Sequence, residues 1–380
     1  SKKKLKKSEI KLMKINRLFL IVSMVFFTLK TTAFELQTKG FLSFGYSRSN
    51  TEKPYQATLT KDGEYTELTR AGLQFSSVIS HKTEAFVQAL ADGSDGRDVN
   101  FSLDIAHITH NFNNKHKLLV GKIRLPVWLI SEYLQVSALY PWINPPEEVY
   151  ELVPFDDIGG TETFFGASFE GQVFRNSHNQ LNYRIYNGGS ESHSNGIQSR
   201  VENLHGITFD YLQGDLELKL NYLNMISSAE QEDDLGKKLD VSKGRTEYFS
   251  VGLRFDTESY IVMSEMSQVY SETTSFEDVL SYYVMGGLYF DDQKYLLHAT
   301  YSEVSDNAKS DLDLFQETLS LGLNYHLDYS TVLKFEAKRV FLPEPPKFEP
   351  GKKKPKGSGL FDEHPDKDVD IISVSISTIF

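Results

Sequence analysis

Cysteine is absent from the 380-residue sequence. Its absence excludes a disulfide scaffold, a thiolate metal site and a cysteine nucleophile. After residue 33 there is also no apolar run of 18 residues or more, so the sequence predicts no membrane-spanning helix there. The ten histidines are scattered, and no G-x-S-x-G, H-E-x-x-H or phosphate-binding glycine motif occurs. The residues therefore predict neither an enzyme nor a bound metal or cofactor.

Basic residues are outnumbered by acidic ones, 40 to 52, so the net charge is -12. The first 33 residues are the exception, because LFLIVSMVFFTL (18–29) follows a basic stretch and precedes Thr31, Thr32 and Ala33. This pattern is typical of a secretory signal peptide, here with a start at Met13 and cleavage after Ala33. A retained membrane anchor is the alternative, although the apolar run is short for one. Cleavage would leave a net charge of -20, which argues against nucleic acid as a partner.

The remaining sequence is dominated by apolar and polar side chains that alternate with a period of two. The pattern is clear in FLSFGYS (41–47) and in IISVSISTIF (371–380). A strand with one apolar and one polar face fits a soluble sandwich, in which the apolar face points inward. It also fits a membrane barrel, in which the apolar face points to lipid.

Connection lengths distinguish the two. The pattern predicts sixteen strands, at 35–47, 69–80, 83–92, 100–111, 116–127, 158–170, 179–187, 201–212, 215–226, 245–256, 259–270, 279–290, 294–304, 315–327, 330–341 and 368–380. Every odd-numbered connection is long or loop-like, and the even-numbered ones are mostly tight turns. Long loops at one end and short turns at the other, with an even number of strands, are typical of outer-membrane barrels.

On these features the chain after residue 33 resembles the Gram-negative outer-membrane porins. VGKIRLP (120–126) and YPWINPPEEVY (140–150) resemble a subgroup of them. The resemblance implies an all-β fold, a transmembrane antiparallel up-and-down barrel of sixteen strands formed by residues 34–380 in the outer membrane. It implies that Phe380 is read by the barrel-assembly machinery. It also implies contacts with membrane lipid and lipopolysaccharide, for which the lysines of loop 342–367 are candidates, and a homotrimer.

In porins the long third external loop folds into the lumen, and here that loop is 128–157. It is rich in carboxylates and prolines and has no lysine or arginine. We predict a pore constriction with the loop carboxylates on one side: Glu132, Glu147, Glu148 and Glu151. Lys122 and Arg124 of the preceding strand are predicted on the other side, although both could simply be solvated.

Alternation on this strand predicts that Lys122 and Arg124 face the lumen, and that Gly121, Ile123 and Leu125 face lipid. Other side chains predicted to face the lumen are Arg70, Asp104, Arg184, Asp210, Glu217, Lys219, Arg254, Lys334, Glu336 and Lys338. The predicted function is passive diffusion of small hydrophilic solutes and ions, with a weak cation preference. The alternatives are a structural or adhesive barrel with a plugged lumen, an outer-membrane barrel enzyme and a secreted soluble β-protein.

Overall fold

A computed structural model describes residues 35–56, 58–93, 98–151, 162–194, 197–232, 238–272, 278–306, 315–343, 359–361, 363–365 and 367–380. These residues form a closed antiparallel barrel of sixteen strands, each paired with its neighbours in sequence. The predicted fold class is therefore confirmed. The predicted signal segment 1–33, the acids Asp156 and Asp157, and most of the loop 342–367 lie outside the described residues.

The strand bounds are as follows. The sixteen strands are β1 (Leu36–Ser49), β2 (Arg70–Ser80), β3 (Thr83–Asp92), β4 (Asn100–Asn111), β5 (His116–Arg124), β6 (Thr163–Arg175), β7 (Asn179–Ser194), β8 (Ile197–Gln213), β9 (Leu216–Glu232), β10 (Lys238–Asp256), β11 (Tyr260–Ser271), β12 (Asp278–Phe290), β13 (Tyr295–Asp306), β14 (Phe315–His326), β15 (Thr331–Phe341) and β16 (Val369–Ile379). Short turns join them at one end of the barrel and long connections at the other.

The barrel closes where β1 pairs with β16, with Phe41 opposite Ile379. The backbones of Gly40 and Phe380 exchange two further hydrogen bonds, of 2.7 and 2.9 Å. A Cβ at Gly40 would overlap the Phe380 ring, so glycine leaves room for this terminal aromatic side chain. Closure gives both of these strands a hydrogen-bonded neighbour on each side, which a barrel in lipid requires.

The two faces of the wall have opposite polarity. Leu42, Phe44 and Ile372 are exposed, whereas Ser43 and Ser373, which alternate with them, are buried. This is the reverse of a soluble sandwich, in which the apolar face would be the buried one. An apolar exterior around a polar interior is the arrangement of a membrane barrel.

Four strands extend by four residues or more beyond their predicted bounds at the end with the long connections. β7, β8, β9 and β10 continue past the apolar alternation at the end with the long connections, and β9 and β10 stay paired as far as Glu232 and Lys238. The extensions are polar, so hydrophobic periodicity does not reveal them. Strand β6 runs from Thr163 to Arg175, five residues past its predicted end at 170, and the predicted positions 158–161 lie outside the described residues. Within the described part of the chain, no helix has the length and apolar character to cross a bilayer.

Candidate functional site

The chain between β5 and β6 forms the candidate site. Its described part, 125–151, is called the inner segment. Prolines at 126, 141, 145 and 146 prevent a long helix or a strand. The segment instead forms two 3₁₀ turns, Ser131–Tyr133 and Ser137–Leu139, and a short helix α1 (Glu147–Tyr150). Pro146 precedes α1, and the two carboxylates in its first turn interact favourably with the helix dipole.

Most of the inner segment is buried, and its apolar side chains pack on the buried face of the wall. Trp142 is 1% exposed and meets the ring of Tyr283 edge-on, with 5.3 Å between centroids. Its indole Nε1 donates to Thr300 Oγ1 at 2.8 Å. One apolar cluster contains the segment residues Val127, Trp128, Leu129, Ile130, Leu134, Tyr140, Trp142, Val149 and Tyr150 and the wall residues Leu223, Met225, Tyr248, Met263, Tyr283, Met285 and Leu296. The segment is therefore fixed largely by hydrophobic packing.

Lys334 of β15 is the main polar anchor of the second 3₁₀ turn. Its ammonium donates to the carbonyl oxygens of Tyr140 at 2.7 Å and Trp142 at 2.6 Å, and also to that of Ser137. It lies 4.9 Å from the centroid of the Tyr140 ring. The side chain is only 1% exposed, so these carbonyls replace the water that the charge has lost.

A second anchor holds α1. Lys338 Nζ lies 2.7 Å from Glu147 Oε1 and 3.3 Å from Glu336 Oε1. Glu148 accepts from Gln316 Nε2 at 2.7 Å and also from Thr318 Oγ1. The two adjacent loop carboxylates thus bind two different strands, β15 and β14.

Glu265 of β11 joins the two ends of the inner segment. It accepts from the backbone N–H of Leu129 at 2.8 Å, from Tyr283 at 2.9 Å and from the hydroxyl of Tyr150. Glu265 is not among the side chains that alternation predicts to face the lumen. The inward positions that precede Glu265 on β11 are the apolar residues Ile261 and Met263. The sequence of this strand therefore shows no polar face from which an inward carboxylate could be predicted.

The predicted loop carboxylates do not form a row opposite Lys122 and Arg124. Glu132 pairs with Arg184 of β7, and Glu151 accepts from Gln56 in the first long connection. Glu147 and Glu148 are buried against β15 and β14 as described above. Each acid is therefore matched with its own partner on a different part of the barrel.

Lys122 differs from its prediction. It lies opposite Phe165, which is 60% exposed, and its ammonium donates to the carbonyl of Leu103 at 2.7 Å. This is the outer face of the wall, whereas Ile123 and Leu125, predicted to face lipid, are buried in the apolar cluster that joins the inner segment to the wall. The prediction failed because it assumed water behind every strand. Here an apolar segment takes that place, so apolar side chains point inward.

Arg124 is buried, and its partners are not the predicted ones. Its guanidinium pairs with Asp104 of β4 and with Glu162, which precedes β6. Gln135 of the inner segment donates to the same Glu162 at 2.6 Å. Asp104 lies at an irregularity in the β3–β4 register, and its carboxylate also accepts from Gln88.

The remaining predicted side chains point to the inner face. Arg70 pairs with Asp92 at 3.1 Å, and Arg184 Nε pairs with Glu170 at 3.0 Å. Arg254 donates to the hydroxyl of Tyr133 in the inner segment at 3.1 Å.

Hydration of the inner face is uneven. The inward side chains of β12–β16, such as Ser320 at 5% and Lys334 at 1%, are closed off by the inner segment. On β5–β10 some of the charged side chains nearer the short turns remain partly exposed, with Lys117 at 45% and Arg254 at 29%, whereas Arg124 and Lys219 are buried. The described residues include no group of three or more histidine or acidic side chains arranged to hold a metal ion.

No family model matches the chain, and no curated protein matches it. Several solved structures do. The trimer form of OmpT, an outer membrane protein of Vibrio cholerae, is 11% identical, with a TM-score of 0.59 over 92% of this chain and 100% of that one. An anion-selective porin from Comamonas acidovorans is 12% identical, with a TM-score of 0.60 over 91% and 100%. OmpF of Salmonella typhi, in complex with daunomycin, is 14% identical, with a TM-score of 0.59 over 91% and 97%. The chain therefore has the fold of the sixteen-stranded outer-membrane porins.

Proposed function

We propose that this protein is an outer-membrane porin, a narrow water-filled channel for the passive diffusion of small hydrophilic solutes and ions. The observation that carries the proposal is the uneven hydration of the inner face. The inner segment packs on β8–β15 and would leave a polar passage beside those charged side chains of β5–β10 that lie nearer the short turns. No bond chemistry is assigned to the passage, because width and charge are sufficient to select solutes.

A membrane location is supported by the outer face. Large apolar side chains are exposed on it all round the barrel. At the end with the short turns, Phe290, Tyr295 and Tyr325 stack with centroids 5.2 and 5.0 Å apart, and Lys294 lies 5.5 Å from the last ring. Aromatic rings with a nearby cation are typical of the membrane–water interface.

The passage would have only weak ionic selectivity. Its walls carry both signs, because Arg184 lies between Glu132 and Glu170, and Lys219 pairs with Asp210 at 3.2 Å. Because the loop carboxylates are individually paired, they supply little free negative charge. A weak cation preference would then come from the overall charge of the chain. Reversal potentials in a salt gradient test this, and clear anion selectivity would contradict it.

Stability of the inner segment is expected to depend on pH. Burial raises the pKa of Glu67, in the first long connection, from 4.5 to about 7, and the charge of Glu147 adds to the effect. Burial also raises the pKa of Glu147, although Lys338 acts in the opposite direction. The other groups near Glu147 are Glu148, Glu336 and Tyr55. A raised folded pKa means that the folded barrel binds the proton more tightly than the unfolded chain.

The stabilisation is therefore complete below pH 4.5 and is lost as the pH rises through about 7. We expect the thermal midpoint to fall, and current fluctuations to increase, between pH 5 and pH 8. Glu67→Gln/Glu147→Gln should flatten both profiles, whereas Glu52→Gln, at an exposed acid, should leave them unchanged. A midpoint that rises over this range would refute the assignment.

A barrel fully plugged by the inner segment, with a structural or adhesive role, is the second candidate. It is favoured by the depth at which Trp142 and Glu148 are buried. Planar-bilayer conductance, with liposome swelling by sugars of increasing size, separates the two. The porin predicts discrete current steps and a size cut-off, and the plugged barrel predicts neither. Lys122→Ala should leave the conductance unchanged because Lys122 lies on the outer face, whereas Glu147→Ala/Glu148→Ala should raise it.

We also propose that the chain forms a homotrimer, since one of the similar structures is a trimer form. The exposed aromatic ring of Phe380 remains the proposed signal for the assembly machinery. Lipopolysaccharide contact through the loop 342–367 stays a proposal as well.

A further inference from the structure

Five charged side chains of alternating sign occupy five consecutive strands on the hydrated side of the inner face. They are called the charge ladder, and they are Lys117 of β5, Glu170 of β6, Arg184 of β7, Asp210 of β8 and Lys219 of β9. Cross-strand register puts Lys117 opposite Glu170, Glu170 opposite Arg184, and Asp210 opposite Lys219.

Three of the four neighbouring pairs in the charge ladder are within ion-pair distance. Lys117 Nζ lies 2.9 Å from Glu170 Oε2, and Arg184 Nε lies 3.0 Å from Glu170 Oε1. Lys219 Nζ lies 3.2 Å from Asp210 Oδ1. Arg184 and Asp210 are diagonal neighbours, because Thr208 is the residue opposite Arg184. On the far side the alternation continues, with Glu217 of β9 opposite Arg254 of β10.

The charge ladder borders the proposed passage and is not sealed inside the wall. Glu132 of the inner segment reaches Arg184, and half of its own side chain is exposed. The side chains of Lys117, Arg184 and Asp210 keep some exposure, and that of Lys117 is the largest, whereas Lys219 is buried and acts as the partner of Asp210. A solute in the passage could therefore contact Lys117, Arg184 and Asp210.

Strands in a sheet lie about 4.8 Å apart, so opposite charges recur about every 5 Å along the charge ladder and like charges about every 10 Å. A solute with one charge would be attracted by the groups of opposite charge and repelled by the others. A small zwitterion can present its ammonium to a carboxylate while its carboxylate faces the next cation. When the zwitterion separates one ion pair of the protein, its ammonium pairs with the freed carboxylate and its carboxylate pairs with the freed cation. Every charged group therefore keeps a partner at each step.

We infer that the charge ladder is a track for small zwitterionic solutes such as amino acids, and that it gives them preference over neutral solutes of equal size. This inference rests on the proposed porin function and adds a solute class to it. The ion pairs of the track would be exchanged one after another as the solute moves from strand to strand.

The test compares the swelling rates of proteoliposomes in alanine and in lactamide, which is neutral and nearly the same size. The intact protein should admit alanine about two- to fivefold faster, the range that partly exposed ion pairs can contribute. Asp210→Asn/Lys219→Gln removes one ion pair of the charge ladder without changing the net charge. It should reduce the ratio of the alanine rate to the lactamide rate toward one. Arg339→Gln/Asp370→Asn removes a matched pair on the outer face, with contacts of 2.7 and 2.9 Å, and should keep the ratio.

Three results would overturn the inference. Equal rates for alanine and lactamide in the intact protein, alongside clear conductance, would refute the track and leave the porin proposal standing. A preference for alanine that survives both Asp210→Asn/Lys219→Gln and Lys117→Gln/Glu170→Gln, which removes a second ion pair, would mean that the charge ladder is purely structural. Swelling with neither solute and no conductance would refute the porin proposal together with the track. Heat-modifiable migration on gels shows whether each variant barrel is folded.

Discussion

Lys334→Met is expected to release the second 3₁₀ turn of the inner segment and to raise the single-channel conductance several-fold. The ammonium is the shared donor for the carbonyls of Ser137, Tyr140 and Trp142, and methionine offers none. Removing one partner from a buried charged network costs about 3–5 kcal/mol. The carbonyls left without a donor would be stabilised by hydrogen bonds to water, which favours release of the turn from the wall. The variant should therefore have a larger current and a lower thermal midpoint.

A matched control is Lys294→Met. Lys294 is exposed in a short turn, and its cation–π partners are Tyr295 and Tyr325 of the wall, not residues of the inner segment. It should leave the conductance unchanged. It should change the free energy of unfolding by no more than about 0.5 kcal/mol, the scatter of surface substitutions. If Lys334→Met left the conductance at the level of the intact protein while the barrel remained folded, the anchoring role of Lys334 would be wrong.

Trp142→Ala has the second large expected effect. The indole is buried, lies edge-on to Tyr283 and donates to Thr300. Truncating a buried tryptophan costs about 3–5 kcal/mol, and part of this is the cavity that remains. Because the cavity lies between the inner segment and β12 and β13, we expect water to enter there, with a larger and noisier current.

Two substitutions separate packing from hydrogen bonding at this position. Trp142→Phe keeps most of the packing and loses the donor, so it should cost about 1–3 kcal/mol, mainly from the unsatisfied Thr300 site. Leu139→Ala truncates an exposed side chain of the same segment and should have little effect. Equal destabilisation by Trp142→Ala and Leu139→Ala would contradict the view that the segment is held by its buried face.

The barrel itself was predictable because its determinants are local. Period-two alternation sets the two faces of each strand, and sorted connection lengths indicate closure. FLSFGYS in β1 and IISVSISTIF in β16 show the alternation plainly, and the two strands pair with each other. The extensions of β7–β10 were not predictable in this way, since their sequences are mostly polar and lack the apolar alternation.

The interior of the site was less predictable because it depends on contacts distant in sequence. The rule that polar side chains face water predicts Lys122 in the lumen, and the apolar inner segment reverses that rule for the second half of β5. The partners of Glu132 and Glu147 lie on β7 and β15, and no sequence pattern connects them. Strand parity alone predicts an inward direction for Arg70, Arg184, Arg254, Lys334 and Lys338.

Accessibility of single cysteines is the most direct test of a half-filled lumen, since the natural chain has no cysteine to interfere. Lys117→Cys lies on the proposed passage, and Ser320→Cys lies behind the inner segment. A small charged thiol reagent, added while single-channel current is recorded, should block Lys117→Cys within seconds and leave Ser320→Cys unmodified. Ser320→Cys should become reactive when Lys334→Met is added. Block of Ser320→Cys as fast as that of Lys117→Cys would mean that the lumen is open on both sides, and would contradict the account.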